Sequence, residues 1–278
     1  MIDALRNSVA HVFVDHLDSP SLTDTDQHHL SRVLRVRDGE RVTASDGRGS
    51  WRSCAWADGG LRADGDVVTE AAPLQRVGVA FVPVKGDRNE WSVQKLTEIG
   101  IDDIVLLAPT RRSVVRWTDT EKQLRKLTLV AREAAMQSRR VWLPKVVAGV
   151  SLADALSMPG AAVADPAASY PVSRAALPAA TANASQGATS PAYPTLIVVG
   201  PEGGFDDDEI PANVPRVRLG DTILRAETAT LVAATLLSAW RSARGSAAMH
   251  APAAATSTAP TAPTAPTAPT APTAKEAQ

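Results

Sequence analysis

Hydrophobic and polar positions follow one pattern before Pro73 and another after it. In the first stretch, apolar residues come in short runs broken by turn-formers. The segment RVTASDGRGSWRSCAW (41–56) alternates on either side of Asp46-Gly47, a strong short hairpin signal. DGG (58–60) and ADGD (63–66) supply further turns. Short strands joined by tight turns predict a small β-barrel over residues 1–73.

RVGVAFVPV (76–84) opens a different regime, a strand apolar on both faces. Asp87 and Glu90 have capping-box spacing, and Gly100 closes the helix they open. DIVLLAP (103–109) is the next buried strand. Thr118 with Glu121 repeats the capping-box spacing ahead of a helix to about Arg140, with Leu124, Leu127, Ala131 and Ala134 as its apolar side. Arg125, Arg132 and Arg139 recur every seven residues and share another stripe, which on pattern alone reads as a solvated face. AAVAD (161–165), TLIVVG (195–200) and RVRLG (216–220) are further strands, and ETATLVAATLLSAWR (227–241) is a long apolar helix. Strand and helix in alternation predict an α/β domain with a mostly parallel sheet over residues 74–245. Within it, the Ala-, Ser- and Pro-rich residues 166–194 are expected to be a disordered insert. Residues 246–278, with their Thr-Ala-Pro repeat, have no periodic apolar face and are expected to be a disordered tail.

Composition narrows the function classes. At 278 residues, with 44% hydrophobic and 21% charged residues, the chain suits a soluble protein of about two domains. The single Cys54 excludes a disulfide framework and a multi-cysteine metal site, and no metal is expected. No run reaches the roughly 18 apolar residues of a membrane span. The first residues lack the core of a signal peptide, so a cytoplasmic protein without membrane contact is expected. Net charge is −1, so any nucleic-acid surface must be local. One basic cluster lies in residues 28–52 and includes Arg32 and Arg35; a second runs from Arg111 and Arg112 to Arg139 and Arg140.

The most unusual stretch is LIVVGPEGGFDDDE (196–209), an apolar strand that ends in Gly-Pro-Glu-Gly-Gly. It could be only a turn, since Gly and Pro turn the chain easily. It matches neither a P-loop, which needs a Gly-Lys-Ser/Thr ending, nor a dinucleotide fingerprint. Asp206–Glu209 suit a helix start but oppose a phosphate there. The loop therefore favours a ligand without phosphates, approached closely by backbone. A second loop, LGDTILRAETAT (219–230), also follows a strand, so both would meet at the carboxyl edge of one sheet, where such folds bind ligands.

Four segments, DRNEWSVQKLTEIG, REAAMQSRR, VVGPEGGF and LGDTILRAETA, together with HHLSRVLRVRDGERVTASDGRG, resemble the RsmE family across most of residues 11–240 and in the same order. Its members are 16S rRNA uracil-N3-methyltransferases of the SPOUT class. The resemblance implies a C-terminal trefoil-knot methyltransferase domain behind an N-terminal PUA-like β-barrel, a homodimer, and S-adenosylmethionine as methyl donor. On that footing Gly200, Pro201, Glu202, Gly203 and Gly204 form one wall of the cofactor site, the glycines small so that backbone can approach the ligand. Leu219, Gly220, Ile223, Leu224 and Arg225 form the other wall. The family often has Pro-Arg where this chain has Asp221-Thr222, and an Arg where it has His11. These departures touch one basic contact near the site and one RNA contact from the first strand.

Methylation of uracil N3 requires an accessible base, loss of the N3 proton, and alignment with the donor. Arg225 is the candidate to stabilise charge on the uracil oxygens, and Glu202 and Glu227 compete as proton acceptor. Glu227 could instead be a helix N-terminal charge. His29, Arg32, Arg35, Arg111 and Arg112 form the expected RNA track on 16S rRNA or the small subunit, with Arg139 and Arg140 orienting RNA or the partner subunit. Rival readings are a SPOUT enzyme acting on a 2′-hydroxyl or on tRNA, and a non-catalytic RNA-binding assembly factor.

Overall fold

The computed structural model describes residues 3–169 and 194–249, with the side chains of the last helix as far as Ala243. Most of the expected insert (170–193) and of the expected tail (250–278) lies outside the described residues.

The N-terminal part holds α1 (Asp3–Asn7), β1 (Ala10–Phe13), α2 (Asp24–His28), β2 (Arg41–Ser45), β3 (Ser50–Ala57), β4 (Gly60–Ala63) and β5 (Val68–Thr69). These strands form one five-stranded sheet in the order β1-β2-β3-β4, with β5 also on β3. The expected β2–β3 hairpin is present, and its turn is fastened by the Asp46 carboxylate, which accepts the amides of Arg48 (2.7 Å) and Ser50 (3.1 Å). Residues 24–33, which the strand pattern did not foresee as helical, form α2 and a following π turn (His29–Val33). Thr23 caps α2 by accepting the Asp26 amide (3.1 Å), and Asp26 and Leu30 are the buried positions, one turn apart.

The second part alternates as expected: β6 (Gly78–Phe81), α3 (Arg88–Ile99), β7 (Asp103–Leu107), α4 (Thr120–Gln137), β8 (Lys145–Val150), α5 (Leu152–Ser157), β9 (Ala161–Ala164), β10 (Leu196–Val199), β11 (Arg216–Val217) and α6 (Ala226–Met249). All its strands pair in parallel, in the order β11-β9-β10-β6-β7-β8. The chain lays down β6, β7 and β8 in one direction, returns to β9, and inserts β10 between β9 and β6. Val79, Phe81, Ile104, Leu106, Ile197 and Val199 face α3, α4 and α6 in one core. Their alternates Ala80, Val82, Val105, Leu107 and Val198 face α5 and Ile210 in the other. Burial on both faces is why these strands read as unbroken apolar runs.

Helix ends follow the expected chemistry with local differences. Gly100 closes α3 in the left-handed region (φ 97°). The expected capping box at its start is not formed: Asp87 makes no side-chain cap bond, and Glu90 turns away to pair with Lys126. At α4 the cap is Asp119, one residue beyond Thr118, accepting the Lys122 amide at 2.8 Å.

Two of the three arginines in the stripe are drawn into the protein, while Arg125 stays exposed beside Glu121. Arg132 grips the buried Asp26 carboxylate with two bonds (2.7 and 3.1 Å), donates to the Phe13 carbonyl (3.2 Å), and lies 5.8 Å from the Phe13 ring centre. Arg139 adopts φ 59° just past the helix end, and its guanidinium donates to the Ser8 carbonyl (2.9 Å). A non-glycine residue tolerates that conformation only at some cost, here offset by the contact it brings across the junction. Backbone bonds from Gly49 to Val141 (3.0 Å) and from Leu143 to Gly47 (3.0 Å) extend the seam. The N-terminal sheet is thus docked on the end of α4 by charge pairs and backbone hydrogen bonds.

Candidate active site

A cavity of about 490 Å³ lies at the carboxyl ends of β9, β10 and β11. The size fits a small-molecule site. Its place, beside the strand inserted when the chain reverses direction, is the switch point where open α/β sheets bind ligands. Gly200, Pro201, Glu202, Gly203 and Gly204 line it from the end of β10, and Leu219, Gly220, Ile223 and Leu224 line it from the loop after β11. The structure therefore brings the two expected loops together on one cavity. Arg225 lies instead on a smaller adjoining cavity, with Arg88, Glu202, Ile223 and Leu224.

A third wall comes from the end of β9. Asp165, Pro166 and Ala167 also line the cavity. Asp165 accepts from Arg216 (2.9 Å) and from the Ala167 amide (2.8 Å). Burial alone would raise its pKa, but these donors outweigh burial and hold the carboxyl below its ordinary range. AAVAD was legible as a strand. Its Asp-Pro end could have been placed here once the sheet was taken as parallel, because every such strand opens on the same edge.

The glycines do not all answer to a ligand. Gly204 needs its left-handed backbone (φ 72°). A Cβ on Gly200 would stand 3.0 Å from the Phe205 ring, and one on Gly203 would touch the Arg112 side chain at 3.4 Å. The fold itself thus constrains Gly204 through its backbone and Gly200 through the Phe205 ring, whereas the contact at Gly203 is ordinary van der Waals packing. Gly220 is different. It has no left-handed backbone, and a Cβ there would meet no protein atom within 4 Å, yet it lines the cavity. No protein contact among the described residues accounts for glycine at that point. Of the charged lining residues Asp165, Glu202, Asp207 and Arg216, the arginine is matched by Asp165, and the remaining acidity suits a neutral or cationic group, such as a sulfonium and ammonium, better than a phosphate.

The acidic run does more than start a helix. Asp206 and Glu209 close a capping box around the short turn Asp207–Glu209. Arg111 pairs with Asp208 at 2.6 Å, and Arg112 pairs with Asp206 at 2.5 Å and donates to the Gly203 carbonyl at 2.7 Å. Hydrogen bonding to Asp208 raises the affinity of Arg111 for its proton. Arg111 and Arg112, expected on the RNA track, thus have their charge matched within the protein and brace the glycine loop. Arg139 and Arg140, expected to orient RNA or the partner subunit, also make contacts within the protein. Arg139 serves the junction, and Arg140 is turned inward to the carbonyls of Thr97 (3.0 Å) and Ile101 (2.8 Å) and to Asp102 (3.5 Å). Burial pulls its pKa down to about 10, against the attraction of Asp102. By contrast His29 and Arg32 are exposed on the π turn and Arg35 just past it, and no side-chain partner holds them among the described residues.

Near the smaller cavity, Arg88 bridges Glu202 (3.5 Å) and Glu227 (3.4 Å). Glu202 lines both cavities and is largely exposed; Glu227 lines neither and is mostly buried. The second carboxylate oxygen of Glu227 is buried with no hydrogen-bond partner. Sequence reasoning missed Arg88. Its signal was a cation in the first turn of a helix, where the dipole favours an anion.

Among the described residues no helix is long and apolar enough to cross a membrane, and no group of His, Cys, Asp or Glu is placed to hold a metal ion.

The chain thus joins a small β domain to a six-stranded parallel sheet with a cavity at the inserted strand, and comparison with known proteins places this arrangement among SPOUT-type methyltransferases with a PUA-like domain. Residues 70–238 match the model of the RNA methyltransferase domain, and residues 22–55 that of the RNA methyltransferase PUA domain. Ribosomal RNA small subunit methyltransferase E of Mycobacterium bovis is 34% identical over 74% of this chain and 80% of its own. The protein of the same name from Bacillus subtilis is 29% identical over 78% of this chain and 89% of its own. The fold is that of ribosomal RNA small subunit methyltransferase E from Neisseria gonorrhoeae bound to S-adenosyl methionine, with TM-score 0.66, 23% identity, and coverage of 83% of this chain and 97% of that one. The chain belongs to the ribosomal RNA small subunit methyltransferase E family.

Proposed function

We propose that the protein transfers the methyl group of S-adenosylmethionine to N3 of uracil in 16S rRNA of the small ribosomal subunit. The observation that carries this reading is the cavity lined by both expected loops, with an unconstrained Gly220 in its wall and, on an adjoining cavity, Arg225, which has no side-chain partner among the described residues. The residues present fit the cofactor: apolar and backbone walls for its adenosyl part, and carboxylates for its cationic part. When bound, the cofactor supplies an electrophilic methyl group on a sulfonium.

The chain's own residues supply the rest. Glu202, on the boundary of both cavities, takes the N3 proton, and Arg225 stabilises the charge left on O2 and O4. As the N3 lone pair forms the new bond to carbon, the carbon–sulfur bond breaks and its electrons stay on sulfur. Between the two candidate bases the placement favours Glu202; Glu227 acts through Arg88 and is a positioning residue. His29, Arg32 and Arg35 contact RNA phosphates. The protein is taken to work as a cytoplasmic homodimer. It is divided at residues 1–73, 74–245 and 246–278, with 166–194 as an insert.

Nucleoside mass spectrometry of 16S rRNA from cells with and without the gene tests this reading. Loss of N3-methyluridine in the deletion strain supports it. Loss of a ribose methyl group, or an unchanged rRNA with a changed tRNA, points to another substrate. Calorimetry showing no binding of S-adenosylmethionine would leave only an RNA-binding factor.

A further inference from the structure

The smaller cavity, about 430 Å³, shares Glu202, Ile223 and Leu224 with the larger one, so those residues stand between two adjoining spaces. Its other lining residues are Arg88 and Arg225. Ile223 is 87% exposed, so the fold does not bury it. Arg225 has no side-chain partner among the described residues, and Arg88 is held only by long contacts to Glu202 and Glu227. Two guanidinium groups, one carboxylate and an exposed apolar side chain thus face one open space beside the proposed methyl donor.

We propose that this cavity receives the flipped-out target base and selects uracil over cytosine through Arg88, Arg225 and Glu202. The inference rests on the function proposed above and assigns its acceptor site. The pairing edge of uracil carries two acceptors, O2 and O4, and one donor, N3–H. Two cationic donors and one anionic acceptor match that edge in kind and number. Cytosine presents an unprotonated N3 and an amino group, so a carboxylate would meet a lone pair and one guanidinium would meet a donor. A site built on hydrogen bonds rejects such a mismatch strongly, because its own polar groups are left unpaired. Ile223 and Leu224 offer the apolar surface on which a flat ring can lie after leaving its stack. A phosphate would be drawn to the arginines but repelled by Glu202, which makes it the poorer occupant.

The test uses the full chain without cofactor. The probe is an RNA copied from the 16S segment found to be methylated, with uridine or cytidine at the target position and 2-aminopurine beside it. Affinity and the fluorescence rise on unstacking are both read. The wild type is expected to bind the uridine RNA at least tenfold more tightly, with the larger fluorescence rise. Arg88→Met should reduce that preference to less than threefold while leaving S-adenosylmethionine affinity in place. Glu202→Gln should shift preference toward cytidine, because a carboxamide can donate to N3. Wild-type preference retained in both variants would overturn the proposal, as would equal losses on both RNAs, which mark a phosphate contact. If the wild type methylates uracil normally but shows no preference, the base site falls alone; if no 16S segment is methylated, the underlying function falls with it.

Discussion

Acid should weaken this protein through one buried imidazole. His11 is 2% exposed, and its ring meets the Phe13 ring edge-on at 5.3 Å. With Nε2–H donating to the Arg140 carbonyl (3.0 Å), Nδ1 is left to accept from the Thr43 hydroxyl (2.9 Å). The neutral ring is therefore satisfied at both nitrogens. Its pKa falls from 6.5 to about 4, chiefly because burial disfavours charge; the Arg140 carbonyl opposes the shift and nearby Arg139 adds to it. Because the folded value lies below the unfolded one, the unfolded chain binds more protons across this window. Stability is complete above pH 6.5 and is lost as pH falls toward 4. At about 1.4 kcal/mol for each pH unit between the two values, the loss is on the order of 3 kcal/mol in all and about 2 kcal/mol by pH 5. Urea unfolding followed by tryptophan fluorescence at pH 7 and pH 5 measures it. Wild type should lose about 2 kcal/mol more than His11→Asn, which starts less stable at pH 7 but cannot titrate there. Equal losses, or an NMR titration of His11 centred near 6.5, would refute the reasoning.

Other perturbations separate the parts of the site. Arg225→Lys keeps a charge but loses the planar donor fork; turnover should fall at least a hundredfold, about 2.7 kcal/mol, with cofactor affinity little changed. Loss of cofactor binding with an intact rate at saturation would make Arg225 a cofactor residue. Gly220→Val should weaken S-adenosylmethionine binding at least tenfold in calorimetry without lowering the melting temperature, since no protein atom lies within 4 Å of the new Cβ. Gly203→Val is the less clean test, because there the side chain meets Arg112. Changing Arg32 and Arg35 together to Glu should weaken RNA binding and flatten its dependence on salt, leaving cofactor affinity unchanged. Asp26→Asn removes the carboxylate that holds Arg132 at the domain junction and should cost on the order of 3 kcal/mol in urea unfolding; a loss under about 0.5 kcal/mol would show that the pair is not a clamp.

What a chain declares locally was legible in this sequence. The switch from short strands to alternating strand and helix, the closing role of Gly100, and the two loops that meet at the cavity all follow from periodicity and turn chemistry read within a few residues. Helix 24–33 was missed because its two buried positions, Asp26 and Leu30, make too short a pattern to stand out from a β context. The arginines show the limit most clearly. Arg132 and Arg139 look like a solvated stripe, Arg140 like an RNA contact, and Arg111 and Arg112 like a basic patch. Each instead meets a partner far along the chain: Asp26, Ser8, Asp102, Asp208 and Asp206. A charged side chain carries no record of whom it will face, because that depends on where the domains dock and which loops converge. Only the tertiary structure sorted matched charges from displayed ones, leaving Arg225, Arg32 and Arg35 without a side-chain partner among the described residues, and it alone brought Arg88 beside Arg225 at the second cavity.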